Sequence, residues 1–278
     1  MNGETENARE VLFQVKDLQV TYRRPGQKAV EAVRGVSFDL HAGETLGIVG
    51  ESGSGKSTIA KTLMLLQPSS GGEALFRGKN IAAFTAAERR QYRRDVQMVF
   101  QDAVGSLNPR MTIRQALNEI LGKSLGGVRG RQSPRPLSQT PESLLDIVGL
   151  SKAVLDQYPR ELSGGQCQRA SFARALAVNP QVLVADEPVS ALDVSVQARI
   201  LNLMRDLRRE LGLAILLIAH DLSVVRNVCD RVCVMHRGLF EDVGPAEDVF
   251  DHPQSDYTKS LLAAVPDVRR SLAARTPQ

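Results

Sequence analysis

A glycine-rich loop between an apolar run and a helical run constrains this chain more than any other stretch. Leu46–Val49 predicts a buried strand, and Ile59–Leu66 predicts the helix that follows the loop. Glycines let successive N–H groups point at one phosphate chain, and the helix start adds partial positive charge. Lys56 would reach the terminal phosphates, and Ser57 would offer a hydroxyl to Mg²⁺. The alternative, a turn that merely joins strand to helix, is not favoured, because the whole pattern is present. The predicted nucleotide phosphate site is formed by Gly50, Glu51, Ser52, Gly53, Ser54, Gly55, Lys56, Ser57 and Thr58.

Two adjacent acids follow another apolar run. Val182–Ala185 predicts a buried strand, and Asp186 and Glu187 come directly after it. In phosphate-loop proteins an acid at this place holds Mg²⁺, directly or through water. A second acid beside it can orient an attacking water. Such a pair is often only a helix cap, but the phosphate loop upstream favours a functional site.

Two more strand ends carry polar side chains. Val96–Phe100 predicts a strand that ends at Gln101, and Ala214–Ile218 predicts a strand followed by His220. Ligands usually bind at the carboxyl ends of the strands in an open α/β sheet. His220 is either a capping or packing residue or a group that reaches the γ-phosphate. Strands that alternate with helices at these spacings predict a largely parallel α/β sheet.

A Ser-Gly-Gly turn precedes a helix predicted over about 166–178. The N–H groups of a helix start can bind an anion, although ordinary helix starts have the same sequence. Before it, Gly122–Gln139 is rich in glycine, proline and arginine, which predicts a flexible loop within a mostly helical region. Helices are also predicted over Val194–Leu211 and Leu222–Cys229.

Composition gives little support for a protein that binds nucleic acid, holds a metal through cysteines, is secreted or spans a membrane. A formal net charge of +4 over 278 residues does not demand a nucleic-acid partner. Cys167, Cys229 and Cys233 form no recognisable metal or disulfide pattern. The polar start is unlike a secretory signal, and no apolar run approaches the length that spans a bilayer. A membrane role would therefore come through a partner.

Together these stretches resemble the ATP-binding subunits of ABC transporters over nearly all of residues 11–266. The resemblance rests on the phosphate loop, the signature Leu162–Gln166, the acidic strand end Val182–Glu187 and the switch His220, in the family's order. It implies a phosphate-loop NTPase core of the α/β class with a mostly parallel sheet. It also implies an N-terminal antiparallel β subdomain and an inserted helical subdomain over about 102–178. The ATPase domain would span 11–250, and a C-terminal extension or tail 251–278.

The resemblance also assigns roles to residues. Tyr22, which on local sequence alone is a surface or strand-packing tyrosine, falls where an aromatic ring stacks on adenine. The implied catalytic residues are Lys56, Gln101, Glu187 and His220, and the implied Mg²⁺ ligands are Ser57, Gln101 and Asp186. In the family each ATP lies between the phosphate loop of one subunit and the signature of another. The residues implied to serve that second site are Ser163, Gly164, Gly165, Gln166 and, in the loop Ser190–Asp193, Asp193.

Finer features resemble the ATPases of oligopeptide, dipeptide and nickel importers. These features are Phe100–Asp102, Ser106–Met111, Val189–Ala198 and the tail stretches His252–Gln254, Tyr257–Thr258 and Leu261–Pro266. Ala103 departs from the group, which usually has proline there. The resemblance implies ATP and Mg²⁺ as cofactors and peptides or a related small solute as the imported cargo.

The implied partners are integral-membrane permease subunits, a second ATPase subunit that is a copy or a paralogue, and an external solute-binding protein. The chain would then be peripheral, at the cytoplasmic face of the inner membrane. Two alternatives remain open at this point: the ATPase of an exporter, and a soluble ABC-type ATPase that acts on nucleic acid or ribosomes. Nucleic acid is not expected as a partner, because the sequence has neither a long coiled-coil insertion nor two ATPase halves.

Overall fold

The computed structural model of the chain describes residues 9–23, 25–26, 28–125, 140–190 and 192–264. Its strands are β1 (Val11–Tyr22), β2 (Val30–His41), β3 (Thr45–Val49), β4 (Gly71–Phe76), β5 (Lys79–Asn80), β6 (Val96–Val99), β7 (Val182–Asp186), β8 (Ala214–Ala219), β9 (Arg231–His236) and β10 (Leu239–Pro245). Its helices are α1 (Lys56–Leu63), α2 (Ala86–Asp95), α3 (Ala103–Ser106), α4 (Ile113–Leu125), α5 (Pro141–Ile147), α6 (Gly164–Leu176), α7 (Val194–Leu211), α8 (Leu222–Arg226), α9 (Ala246–Asp251) and α10 (Asp256–Ala263). Three 3₁₀ segments lie at Ile81–Ala83, Lys152–Asp156 and Pro159–Glu161.

Two sheets organise these elements. The larger sheet has the strand order β10-β9-β3-β8-β7-β6, and only the β10–β9 pair in it is antiparallel. The smaller sheet has the order β2-β1-β4-β5 and is antiparallel throughout. A mostly parallel core with an N-terminal antiparallel sheet confirms the predicted fold class.

The larger sheet is covered on both faces, which explains its continuous apolar strands. Every residue of β3, β7 and β8 is buried. Along β8, Leu216 and Ile218 pack with residues of the antiparallel sheet. Ile215 and Leu217 point to the other face and pack with helices α4 to α8. The parallel strands thus present their carboxyl ends together at one edge of the sheet.

Local sequence sets the starts of the two helices beside that edge. The Ser163 hydroxyl accepts the Gln166 N–H at 3.3 Å, and the Gln166 side chain accepts the Ser163 N–H at 2.9 Å, which is a capping box. Asp193 caps α7 by accepting the Val196 N–H at 3.0 Å. Gly212 ends α7 in the left-handed region at φ 66°. The predicted bounds of α7 are confirmed.

Three predicted boundaries are wrong. Helix α4 continues through Gly122 to Leu125, because Ile113, Leu117 and Leu121 form an i, i+4 apolar stripe that stays buried. The remainder of the predicted loop Gly122–Gln139 lies outside the described residues. Helix α6 begins at Gly164 rather than near Gln166, because its capping box starts the helix at that point. Helix α8 ends at Arg226, and the chain turns through Cys229 before β9 begins.

Strand β10 was not predicted from the sequence. It follows β9 through a two-residue turn in which Arg237 and Gly238 have φ of 45° and 85°. Positive φ at both positions is typical of a type I′ hairpin. Among the described residues, no helix has the length and the apolar character needed to cross a bilayer.

Candidate active site

The phosphate loop follows β3 and is pressed closely against neighbouring backbone. A Cβ on Gly50 would lie 2.0 Å from the Met235 carbonyl oxygen, and one on Gly55 would lie 2.2 Å from the Ala32 carbonyl oxygen. No side chain fits at such distances, so both positions require glycine. The Gly238 N–H also donates to the Ser54 carbonyl at 2.9 Å. The β9–β10 hairpin therefore supports the loop from one side.

Lys56 is folded back onto the loop that carries it. Its Nζ donates to the Gly50 carbonyl at 2.7 Å and to the Glu51 carbonyl at 2.6 Å. Burial lowers the pKa of Lys56, and the nearby Glu187 and Asp186 oppose that shift. The buried ammonium is therefore placed among carbonyl oxygens and two carboxylates, where an anion would add further stabilisation.

Ser57 and Asp186 form the next contact. The Ser57 hydroxyl donates to Asp186 Oδ1 at 2.9 Å, although 129 residues separate the two in sequence. Burial raises the pKa of Asp186, the hydrogen bond from Ser57 opposes the shift, and Glu187 adds to it. Adjacent hydroxyl and carboxylate oxygens are the ligands that Mg²⁺ prefers. The residues present therefore fit the predicted metal.

Glu187 is the point at which three strand ends meet. Gln101 Nε2 donates to Glu187 Oε2 at 2.9 Å, and His220 Nδ1 lies 3.5 Å from the same oxygen. Glu187 has a φ of 45°, which is strained for a residue with a side chain, and its N–H is held by the Ile218 carbonyl at 2.9 Å. The carboxylate contacts the side chains that follow β6 and β8.

Tyr22 lies at the end of β1, beside the first turn of α1. Its hydroxyl oxygen is 3.4 Å from that of Thr58, the last residue of the phosphate loop. The ring is half-buried, so part of its surface remains accessible. The predicted adenine-stacking residue therefore lies next to the phosphate loop, as that role requires.

The signature and Asp193 form a second surface. A Cβ on Gly165 would lie 2.5 Å from Val196 Cγ1, so the signature turn packs tightly on the start of α7. The Ser195 hydroxyl donates to Asp193 at 2.7 Å and lowers the pKa of that carboxyl. Within the described residues, no hydrogen bond joins Ser163–Gln166 or Asp193 to the phosphate loop.

Two residues at this site, Ser190 and Tyr257, were named from the sequence only within longer stretches and were given no role here. Ser190 lies 3.4 Å from Gln101 Nε2, and its hydroxyl donates to the Glu187 carbonyl at 3.2 Å. Its place three residues after Glu187 was an available signal. The Glu51 N–H donates to the Tyr257 hydroxyl at 3.3 Å across 206 residues, and no local pattern predicts that contact.

The arrangement combines an amine, a hydroxyl–carboxylate pair and a carboxylate with two polar neighbours. In the described ranges, no group of three or more His, Cys, Asp or Glu residues could hold a metal ion. A Mg²⁺ ion at Ser57 and Asp186 would therefore need further oxygen ligands, from the phosphates, from water and from the predicted ligand Gln101. This chemistry suits the hydrolysis of a Mg²⁺-bound nucleoside triphosphate.

Comparisons with known proteins agree with this geometry. Residues 33–190 match the ABC transporter family. The chain is 46% identical over 263 residues to the oligopeptide transport ATP-binding protein OppF of Lactococcus lactis subsp. lactis, covering 92% of this chain and 81% of that protein. It is 46% identical over 258 residues to the dipeptide transport ATP-binding protein DppF of Lactococcus lactis subsp. cremoris, with the same coverage.

Solved structures give the same result. A dimeric post-hydrolysis structure of the ATP-binding cassette MJ0796, bound to ADP and Pi, matches with a TM-score of 0.71 and 29% identity, covering 84% of this chain and 99% of that one. CbiO1 from Clostridium perfringens matches with a TM-score of 0.73, covering 95% of this chain and 99% of that one. At 24% identity it supports the fold alone. The resemblance predicted from the four motifs is confirmed.

Proposed function

Because the chain belongs to the ABC transporter family, we propose that it powers the import of peptides through a membrane permease. The chain is an ATPase, and ATP with Mg²⁺ is its cofactor. The observation that carries the proposal is the contact of Gln101 and His220 with Glu187, directly beside the Ser57–Asp186 pair. The residues proposed to hydrolyse the nucleotide and the switch residue His220 thus lie at the same edge of the sheet.

The phosphate loop binds the nucleotide. The amides of Gly50–Thr58 surround the phosphate chain, and Lys56, held by the Gly50 and Glu51 carbonyls, directs its remaining N–H at the terminal phosphates. Tyr22 stacks on the adenine. Ser57, Asp186 and Gln101 are the residues that would hold Mg²⁺, and the ion would supply positive charge next to the phosphates.

Glu187 acts as the general base. Its carboxylate accepts a proton from the attacking water, while Gln101 keeps one carboxylate oxygen fixed. His220 is 51% exposed, which leaves its ring free to hydrogen-bond the γ-phosphate. Gln101 and His220 both contact Glu187 Oε2. Loss of the γ-phosphate next to His220 would therefore alter the contact of Gln101 through the Glu187 carboxylate.

The signature completes the site of a second ATPase subunit, either a copy of this chain or a paralogue. Two observations support this: Ser163 and Gly164 of the signature are exposed, and in the described residues the signature has no hydrogen bond to the chain's own phosphate loop. Asp193, at the start of α7, faces the same subunit boundary. We divide the chain into an ATPase domain over 11–250, with a helical subdomain over about 102–178, and an extension over 251–278.

The surface after Gln101 receives the permease. Phe100 and Val104 are 40% and 51% exposed, which is unusual for large apolar side chains. A groove of about 380 Å³ is formed by the chain that follows Val104 and by part of α4, and its lining combines the apolar Leu107 and Met111 with the charged Glu119 and Arg174. A helical segment of a permease loop fits this groove. An external solute-binding protein acts through the permease, and the chain lies at the cytoplasmic face of the inner membrane.

The cargo follows from the relatives. Both L. lactis relatives are named for peptide transport, and we assign peptides as the solute class. Import is favoured over export by the stretches Phe100–Asp102 and Ser106–Met111, which resemble those of importer ATPases. Nucleic acid is not among the proposed partners, since the charge of +4 is slight for this length.

Co-expression with permease subunits tests the assembly. The chain should sediment with membranes only when the permease is present, and a peptide with its binding protein should stimulate the ATPase of the complex. A Phe100→Ser, Val104→Ser variant should remain in the supernatant and still bind ATP. A chain that stays in the supernatant with its permease, and whose ATPase is stimulated by DNA or RNA, would contradict the proposal.

A further inference from the structure

Helix α10, in the C-terminal extension, places Tyr257 against the phosphate loop. The Tyr257 hydroxyl accepts the Glu51 N–H at 3.3 Å. Its ring stacks on His236, with ring centres 3.9 Å apart and planes 6° apart. His236 is the last residue of β9, directly after Met235, whose carbonyl is in close approach to Gly50. The extension therefore contacts the loop and the strand end that supports it.

Tyr257 and Lys56 are hydrogen-bonded to the same peptide group. The Gly50 carbonyl accepts Lys56 Nζ at 2.7 Å, and the Glu51 N–H donates to Tyr257. These two atoms belong to one planar peptide group, so a hydrogen bond at each end fixes the orientation of the plane. Bonds in series through one peptide group also polarise and strengthen each other.

Helix α10 is itself held firmly in place. The buried Asp242 accepts the N–H groups of Gln254 at 3.2 Å and Ser255 at 3.1 Å, immediately before the helix begins. Ser255 caps the helix by accepting the Thr258 N–H at 3.1 Å. Burial raises the pKa of Tyr257 above its usual value, so its hydroxyl stays protonated and neutral at physiological pH.

We propose that Tyr257 is a positioning residue for ATP: its hydroxyl holds the Gly50–Glu51 peptide in the orientation that presents Lys56 to the phosphates. The C-terminal extension thereby sets the nucleotide affinity of the ATPase. The inference rests on the proposed role of Lys56 as a phosphate ligand. Its competitor is a packing role, in which Tyr257 only attaches α10 to the sheet.

Tyr257→Phe in the full chain separates the two roles, because it removes the hydroxyl and keeps the ring stack. A lost neutral hydrogen bond changes affinity by roughly three- to tenfold. We expect the KM and Kd for Mg-ATP to rise by about that factor, with kcat within about twofold. The melting temperature of the nucleotide-free chain should fall by no more than about 5 °C. Amide hydrogen exchange should be faster at the peptide that contains Glu51.

Tyr158→Phe is the matched control. It makes the same chemical change beside Arg160, and within the described residues no hydrogen bond links Tyr158 to the phosphate loop. It should leave the KM for Mg-ATP unchanged. A Tyr257→Phe chain with a wild-type KM, or one that only melts earlier, would overturn the inference, as would a fall in kcat alone.

Lys56→Ala distinguishes this failure from failure of the proposed function. If the wild type binds Mg-ATP, Lys56→Ala does not and Tyr257→Phe matches the wild type, only the role of Tyr257 is refuted. If the wild-type chain fails to bind Mg-ATP, the proposed function and the inference both fail.

Discussion

Replacing Asp186 by asparagine should make the nucleotide-free chain more stable while removing its response to Mg²⁺. Asp186 is 6% exposed, and burial and the neighbouring Glu187 both raise its pKa. The ionised side chain is therefore held at a place that favours the neutral form. We expect that the charge of Asp186 serves metal binding, although it lowers the free energy of unfolding of the nucleotide-free chain.

The expected size follows from the contacts. Asparagine keeps an acceptor oxygen for the Ser57 hydroxyl, which now lies 2.9 Å from Asp186 Oδ1. Replacing a charge-assisted bond by a neutral one loses about 1 kcal/mol. Removing a buried charge regains desolvation free energy of several kcal/mol. After the weaker attraction of the carboxylate to Lys61 and Lys56 is subtracted, the balance is a gain of roughly 1–3 kcal/mol, or a rise in melting temperature of roughly 3–8 °C.

The way in which the stability difference between Asp186→Asn and the wild type changes with pH tests this reasoning most directly. When the pKa of a carboxyl is higher in the folded than in the unfolded chain, the group contributes its full stability at pH values below the unfolded pKa. That contribution is lost as the pH rises through the folded pKa. The Asp186→Asn chain should thus exceed the wild type most at about pH 8, and the difference should shrink as the pH falls toward about 4. Thermal unfolding across this range measures it, with Mg-ATP added in parallel.

Mg-ATP should raise the melting temperature of the wild type and have little effect beyond metal-free ATP on Asp186→Asn. The reasoning about Asp186 is refuted if the variant is less stable than the wild type at about pH 8. It is equally refuted if the difference between the two chains does not change with pH.

Three further predictions concern catalysis and the glycines. Glu187→Gln should lower turnover by about 10²–10⁴-fold. It should leave the Kd for Mg-ATP within about threefold of the wild type, because its amide oxygen can still accept the 2.9 Å bond from Gln101; phosphate release and equilibrium binding measure the two. Gly55→Ala should lower the free energy of unfolding in urea by roughly 2–4 kcal/mol, since its Cβ would lie 2.2 Å from the Ala32 carbonyl. Gly122→Ala should raise the same quantity by about 0.5–1 kcal/mol, because the site is helical and nothing lies within 4 Å of the added Cβ. Near wild-type turnover in Glu187→Gln, or the opposite sign for either glycine variant, would contradict these accounts.

The core strands and the residues at their ends could be predicted, because parallel strands buried on both faces leave long apolar runs in sequence. Asp186 and His220 each follow such a run, and the parallel order of β7 and β8 brings them to one edge. The bounds of α7 could be predicted for a similar reason, since Asp193 and Gly212 are a typical cap and stop.

Other features have no local signal. The buried side chain of β10 is the polar Asp242, which accepts two N–H groups at the start of the C-terminal extension. The alternation of apolar and polar residues that predicts a strand is therefore missing from β10. Gly122 indicated a break, although the tertiary packing of Leu117 and Leu121 keeps α4 helical. The contact between Glu51 and Tyr257 joins distant parts of the chain and follows only from how β9 and α10 pack together.

Peptide uptake by whole cells tests most directly whether ATP hydrolysis by this chain powers import. Cells that lack the chain should lose uptake of a radiolabelled oligopeptide and keep uptake of a free amino acid. The wild-type chain should restore peptide uptake, and Glu187→Gln should not, although it reaches the membrane in equal amount. Restoration by Glu187→Gln, or unchanged peptide uptake in cells without the chain, would contradict the account.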